Sequence, residues 1–415
     1  MFDFQKNELF YAIGEFLDRE IVSNNKRIVF WGINHQTRLS ISFLLGCGIE
    51  KDKISIVDNS VKEEFRGIVT RRPEEVLFPY DSNIVILLAT GHNKEIVKQA
   101  ARYGYKKGKA VYELFNWESR LYKIGHNIRQ KSPNRYNAIL NGWGYQLYKA
   151  THRDVCQLTK QNEKYKDLHH GERCFIMGNG PSLGDVDFSK LEKEFVFGVN
   201  QIMSVPGWEA ANINYWVCVD GDILGMWNNS DYSFYKKMLV LSERNIDVFV
   251  PVEARYYCRY HNLEEQLNIN YMNIKEQYIN LDCPMEINFP DMKKFIMQPY
   301  NAVIGCINIA IYMGFEEIYL LGCNQSVLED EIKYYLGNQR INMHAYTDDD
   351  TSGKIALNRI RSKGMYFEIK TQLTQLLQYR LLNELCERNN IRLVNLSAPT
   401  LIESIPQMPI AEVLK

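Results

Sequence analysis

Short apolar runs alternate with helically spaced segments twice along this chain. In the first block, Arg27-Ile28-Val29-Phe30-Trp31-Gly32 reads as a buried strand entering a turn, and residues 37–45 read as a helix. Ile54-Ser55-Ile56-Val57 is a second strand ended by Asp58-Asn59, and residues 83–89 form a third that runs into Thr90-Gly91-His92. A helix through Ile96 and Val97 follows. Phe2, Leu9, Phe10, Ile13, Phe16, Leu17 and Ile21 give residues 1–24 a helical period as well. Strand–helix alternation of this kind predicts a parallel α/β domain over residues 1–112. Residues 113–170 change character. Scattered Trp, Leu and Ile among many Lys, Arg, Asn and Gln predict a helical linker, with His169-His170 just before the next strand.

The second block, 171–415, repeats the pattern at larger scale. Its expected strands are Phe175-Ile176-Met177, residues 195–199, 215–219 and 248–250, Ile318-Tyr319-Leu320-Leu321 and residues 391–395. Tyr300-Asn301-Ala302 opens a long apolar helix that runs to Met313-Gly314-Phe315, and another helix runs from about residue 356 to 388. The expected fold is therefore α/β: two Rossmann-like parallel-sheet domains joined by a helical linker.

Polar residues recur directly after these strands. Gly178-Asn179-Gly180-Pro181-Ser182 follows the first, Asn200-Gln201 the second, Asp220-Gly221-Asp222 the third, and Gly322-Cys323-Asn324-Gln325-Ser326 a later one. In a parallel sheet those positions share the carboxyl edge, where ligands bind. The glycine turn is expected to present backbone N–H groups and a helix start to an anion. It lacks the Lys-Ser/Thr of a Walker loop, so a nucleotide monophosphate read by amides fits better than a triphosphate. The first-block turn, Gly32-Ile33-Asn34-His35-Gln36-Thr37, has only one of the three dinucleotide-fingerprint glycines, although Asp58 sits where a ribose-binding acid would. An accessory role is expected for that domain, and a solvated loop histidine for His92.

Composition narrows the classes. With 49 basic and 50 acidic residues the net charge is −1, which gives no reason to expect a nucleic-acid partner. The nine cysteines form no C-x-x-C pair and several lie in apolar runs, as reduced thiols of a cytoplasmic protein do. The first residues lack signal-peptide form, and no apolar run approaches the length of a membrane span. Peripheral membrane attachment and homo-oligomerisation stay open.

The run Met177-Gly178-Asn179-Gly180-Pro181-Ser182-Leu183, followed by Asp187-Phe188-Ser189-Lys190-Leu191, resembles the opening of bacterial sialyltransferases that use CMP-sugars. It is also similar to the related domains of motility-associated flagellin glycosyltransferases and hydroxymethylpterin diphosphokinase-like proteins. Val199-Asn200-Gln201, Asn301-Ala302-Val303 and the helix–strand unit after them extend the resemblance over about residues 172–400. The resemblance implies inverting transfer of a sialic-acid-like or other 2-keto sugar from a CMP-sugar to a glycan acceptor in bacterial surface polysaccharide synthesis. It implies a histidine base, no required metal, and no cofactor beyond the CMP-sugar co-substrate. By match, Gly178, Asn179, Gly180, Ser182, Asn200, Gln201, Asp220, Asn301, Ala302, Val303, Gly322, Asn324 and Ser326 line the nucleotide and donor site. His344, the only histidine after His261, is the candidate base. Tyr334, Tyr335 and Tyr346 are candidates to assist phosphate departure. The family's Gly-x-Asp is Gly322-Cys323-Asn324 here, an amide in place of a carboxylate. Two alternatives stand beside this reading. One is Mg-dependent diphosphate transfer from ATP to a small alcohol, with Asp220 and Asp222 or Asp348-Asp349-Asp350 holding the metal. The other is a non-catalytic nucleotide-binding scaffold in a glycan-synthesis complex.

Overall fold

The computed structural model describes residues 13, 14, 16, 25–60, 62–89, 93–114, 143–219, 234–275, 287–326, 328–329, 332–333, 336, 344–346, 360 and 364–414. The chain divides into two compact units. The first comprises residues 1–132, 221–236 and 253–263, and the second comprises 133–220, 237–252 and 264–415.

In the first unit, β1 (Arg27–Trp31), α1 (His35–Gly46), β2 (Ile54–Val57), β3 (Glu64–Phe65), β4 (Ile68–Arg71), α2 (Pro73–Leu77), β5 (Ile84–Leu88), α3 (Asn93–Arg102) and β6 (Val111–Glu113) build a six-stranded sheet of order β3-β4-β2-β1-β5-β6. All its pairs are parallel except the β3–β4 hairpin. Buried Val29, Trp31, Val57, Ile86 and Leu88 pack in its core. Asn34 caps α1 by accepting from Thr37 N at 3.0 Å, and its amide donates to Ala89 O at 3.1 Å. Thr90, Gly91 and His92 lie outside the described residues.

The second unit opens with α4 (Trp143–Thr151) and α5 (Arg153–Lys160). The sequence reading assigned these to a linker, but they bind within the unit. Tyr145 packs edge-on to Phe295 at 5.1 Å, Thr159 Oγ1 donates to Lys293 O at 3.0 Å, and the buried Asn162 amide donates to Tyr271 O and Met292 O. Their sequence is polar because only one face is covered; the pattern alone does not say against what. Next come β7 (Arg173–Met177), β8 (Phe195–Val199), β9 (Ile213–Val217), α6 (Phe234–Met238), whose first three residues fall in the first unit, and β10 (Asp247–Pro251). The helix α7 (Arg255–Tyr260) belongs to the first unit, so that unit draws on sequence from beyond residue 220. Then follow β11 (Asn268–Met272), β12 (Ile274–Lys275), β13 (Ile296–Met297), α8 (Ala302–Met313), β14 (Glu317–Leu321), α9 (Met365–Arg388), β15 (Arg392–Asn395) and α10 (Ile410–Val413).

The main sheet is wholly parallel, in the order β11-β10-β9-β8-β7-β14-β15. The chain moves outward from β7 through β8 to β11, then returns to add β14 and β15 on the other side. The order therefore reverses between β7 and β14. Every residue of α8 is buried, which suits a helix apolar all round, and Gly314 ends it at φ +86°. His169 is buried beside this core. Its ring bridges Glu172 and Tyr215 at 2.5 Å each and stacks on Phe315. That is a structural role, and among the described residues no group of three or more His, Cys, Asp or Glu is placed to hold a metal.

Candidate functional site

The strand order reverses between β7 and β14, and in parallel sheets ligands ordinarily bind beyond the carboxyl ends at such a point. Register decides what meets there. Met177 pairs with Leu321, so Gly178 and Gly322 are the next residues out on each strand. Gly178 N donates to Leu321 O and Gly180 N to Gly322 O, both at 2.8 Å. A Cβ on Gly178 would sit 2.6 Å from Gly322 O, and one on Gly322, which has φ +63°, would sit 2.6 Å from Gly178 O. The glycines are needed so that two backbones can touch.

This revises the expected anion cradle. The N–H groups of Gly178, Gly180, Ser182 and Leu183 all donate within the protein. The segment after the turn is two short 3-10 stretches, Pro181–Asp185 and Phe188–Leu191, rather than an α-helix with a dipole to offer.

Asn324 is likewise engaged. Its Oδ1 accepts from Ser182 N at 3.1 Å and Ser182 Oγ at 2.8 Å, and its Nδ2 donates to Pro399 O at 2.6 Å. Asn324 ties the glycine turn, through Ser182, to the loop after β15. Asn301 is engaged within the protein as well. Its Oδ1 caps α8 through Ile304 N at 2.9 Å, and its Nδ2 faces Tyr379 Oη, Gln375 Oε1 and Gln325 Oε1 at 3.0–3.4 Å. Ala302 and Val303 are buried in the first turn of that helix, and Ser326 is half-buried.

Two amide oxygens at the edge have no partner. Asn179 donates through Nδ2 to Val199 O at 3.1 Å, while its Oδ1 is buried without a hydrogen bond. Asn200, held at φ +49°, accepts from Trp216 Nε1 through its carbonyl, and its Oδ1 is also buried without a hydrogen bond. Gln201 follows it, half-buried. Two unfilled acceptors at neighbouring strand ends suit hydroxyl or amino donors better than phosphate oxygens.

The His344-Ala345-Tyr346 strip returns to this turn. Ala345 N donates to Asn179 O at 2.9 Å, and the His344 and Tyr346 rings stack at 4.8 Å, 8° apart. Tyr346 is 7% exposed and His344 half-buried. Asp220, Asp222, Tyr334, Tyr335 and Asp348–Asp350 lie outside the described residues.

Sequence reasoning missed the amide wall behind Asn301. Gln325, at φ +55°, donates to Gln372 Oε1 at 2.9 Å and also reaches Gln375. Gln378 takes Tyr300 N and donates to Gln298 O. The signal was present: Glu368, Gln372, Gln375 and Gln378 recur at helical spacing, and all are buried on α9. Beneath the turn, burial pushes the Cys323 thiol up to about 12, which keeps it protonated and removes it as a nucleophile. The described cysteines are free, and all but half-buried Cys156 are buried.

The fold is that of a doubly wound α/β protein with amide side chains gathered at its topological switch point. No family model matches the chain, and no curated protein matches it. Among solved structures the chain is similar to the sialyltransferase CstII from Campylobacter jejuni in complex with cytidine-5'-monophosphate. That match has 15% identity and a TM-score of 0.33, over 58% of this chain and 86% of that one. It is also similar to the MAf glycosyltransferase from Magnetospirillum magneticum AMB-1, at 13% identity and a TM-score of 0.31, over 98% of this chain. The chain spans 62% of that protein's length.

Proposed function

We propose that the second unit is a glycosyltransferase that moves a 2-keto sugar from a CMP-sugar to a glycan acceptor, with inversion and without a required metal. The observation that carries this reading is the hydrogen bond from Ala345 N to Asn179 O. It sets a histidine and a stacked tyrosine beside the turn whose neighbouring amide oxygens await donors. In this reading the Asn179 and Asn200 oxygens accept from ribose hydroxyls or the cytosine amino group. Neutral His344 takes the proton of the acceptor hydroxyl as that oxygen bonds to the anomeric carbon. The carbon–phosphate oxygen bond breaks, and its electron pair leaves with CMP. A phenol, from Tyr346 or from Tyr334 and Tyr335, donates to the departing phosphate. A single displacement inverts the anomeric centre. The enzyme works in the cytoplasm on surface polysaccharide, and the first unit is accessory.

The test is a thermal-shift series with CMP, CDP, UDP, ADP and ATP, followed by turnover of a CMP-sugar with and without EDTA. CMP-selective stabilisation, turnover that survives chelation, and a loss of about a hundredfold or more in His344→Ala are expected. Stabilisation by ATP alone, with EDTA-sensitive activity, would replace this reading with diphosphate transfer.

A further inference from the structure

At the amino-terminal ends of the strands that carry the glycine turn, charge alternates across the sheet. β7 begins with Arg173, β14 with Glu317 and β15 with Arg392, and Glu194 immediately precedes β8. Register sets the four side by side. Glu317 pairs with both Arg173 and Arg392, and Cys174 pairs with Phe195, which puts Arg173 level with Glu194. Cys174, Ile318 and Leu393, the next residues along, belong to the core beneath α8, so strand alternation turns the charged row to the other face of the sheet. There, with Tyr319, Lys190, Met408 and residues 412–414, the row lines a cavity of about 610 Å³.

The row does more than close the sheet with ion pairs. Arg173 gives Nε and Nη2 to Glu194 at 3.0 and 2.5 Å, and among the described residues its Nη1 makes no hydrogen bond. Arg392 is held loosely. Its Nη1 lies 3.4 Å from Tyr319 Oη and 3.9 Å from Glu317, its Nη2 lies 3.8 Å from Met408 Sδ, and its Nε has no partner among the described residues. Tyr319 Oη donates to Glu317. The single hydrogen bond of the Lys190 ammonium among the described residues runs 3.5 Å to the Leu414 carbonyl. Three cations therefore keep unused N–H donors around one cavity.

That inventory defines the ligand. Three basic side chains in the lining (Arg173, Lys190, Arg392) balance three acidic ones (Glu194, Glu317, Glu412), so a polyanion gains little from the net charge. The unused guanidinium and ammonium donors call for a local anionic group, which they bind with charge-assisted hydrogen bonds. The carboxylates beside them accept from hydroxyls. The volume falls in the range of small-molecule sites.

We propose that this cavity binds a sugar carrying a single acid group, carboxylate or phosphate, with Arg173, Arg392 and Lys190 meeting the anion and Glu317 and Glu412 accepting from the hydroxyls. The five residues of β7 put about 17 Å between the charged row and the glycine turn, so this is a second site. It goes beyond the proposed transfer reaction and does not depend on it.

The experiment is saturation-transfer NMR of the full chain with N-acetylneuraminic acid and with glucose 6-phosphate, the carboxylate and phosphate forms, and with glucose as the neutral control. At least one acidic sugar should bind, with a signal that survives excess CMP, while glucose gives little. Which of the two binds identifies the acid group. Lys190→Gln and Arg392→Gln should each weaken binding roughly tenfold. Both side chains are exposed, and thermal unfolding checks that each variant is folded. Binding of neither acidic sugar overturns the proposal, as does equal binding of glucose. So does displacement by CMP, or an affinity unchanged in both variants, since either places the sugar elsewhere. Displacement by inorganic phosphate at the concentration of the sugar itself also overturns it, because the cavity would then hold a bare anion only.

Discussion

Replacing Asn324 by aspartate restores the carboxylate of the Gly-x-Asp pattern, and the geometry says that this chain will not tolerate it at neutral pH. One aspartate oxygen can still accept from Ser182 N and Oγ. The other must take the place of Nδ2, 2.6 Å from the Pro399 carbonyl oxygen. Two acceptors then face each other at a nearly buried position. Losing the donor and leaving a buried carbonyl unmet costs about 1–3 kcal/mol, and the ionised oxygen adds to it, so about 3 kcal/mol is a fair working figure. Only the protonated acid can donate to Pro399. At 1.36 kcal/mol per unit, about 3 kcal/mol raises the folded-state pKa by roughly two units above its ordinary 3.9, to near 6. The sign follows from that direction. A raised folded pKa means that the variant recovers below about pH 4 and loses stability as pH rises through about 6. Thermal unfolding of both proteins across this range, followed through the second unit's transition, should show a gap that is small in acid. It should reach roughly 6 °C or more above neutrality. A gap that does not change with pH, or no gap, would refute the hydrogen-bond assignment of Asn324.

Gly178→Ala should destabilise the second unit by about 1–3 kcal/mol, because the new methyl meets backbone rather than a movable side chain; denaturant midpoints measure this, and an unchanged midpoint would contradict the close approach. Native Cys323 should resist alkylation at pH 8 and react once the protein is unfolded in urea, since burial holds its thiol near 12; peptide mass spectrometry after brief iodoacetamide treatment reads the difference.

Much of the sheet was legible because buried parallel strands are continuous apolar runs. β7, β8, β14 and β15 stand almost where the pattern puts them. β11 was missed because Asn268-Ile269-Asn270-Tyr271-Met272 alternates polar and apolar residues at a sheet edge. β3 and β4 were missed because β3 is only two residues long and β4 alternates buried and exposed positions instead of forming an apolar run. The positions of the site residues followed from strand ends, which local sequence marks well. Their roles did not follow. An asparagine after a strand looks the same whether its amide oxygen goes without a hydrogen bond, as at Asn179, or braces a neighbouring loop, as at Asn324. Pairing between residues 142 positions apart decides which.

The strand order also bears on how the chain is made. β7 is the first strand of its sheet to be synthesised and ends near the middle of it, with β8 on one flank and β14 on the other. Until β14 emerges, the half-sheet β7–β11 presents β7 as a bare edge, the kind of template on which strands of other chains add. The switch point is therefore completed late. Its first wall waits at an open edge until Glu317–Leu321 pairs beside it, and the Asn324 brace needs residue 399 as well. The same reversal makes this protein dependent on a long stretch of unprotected folding, with the glycine turn and its Asn324 brace among the last parts to be secured.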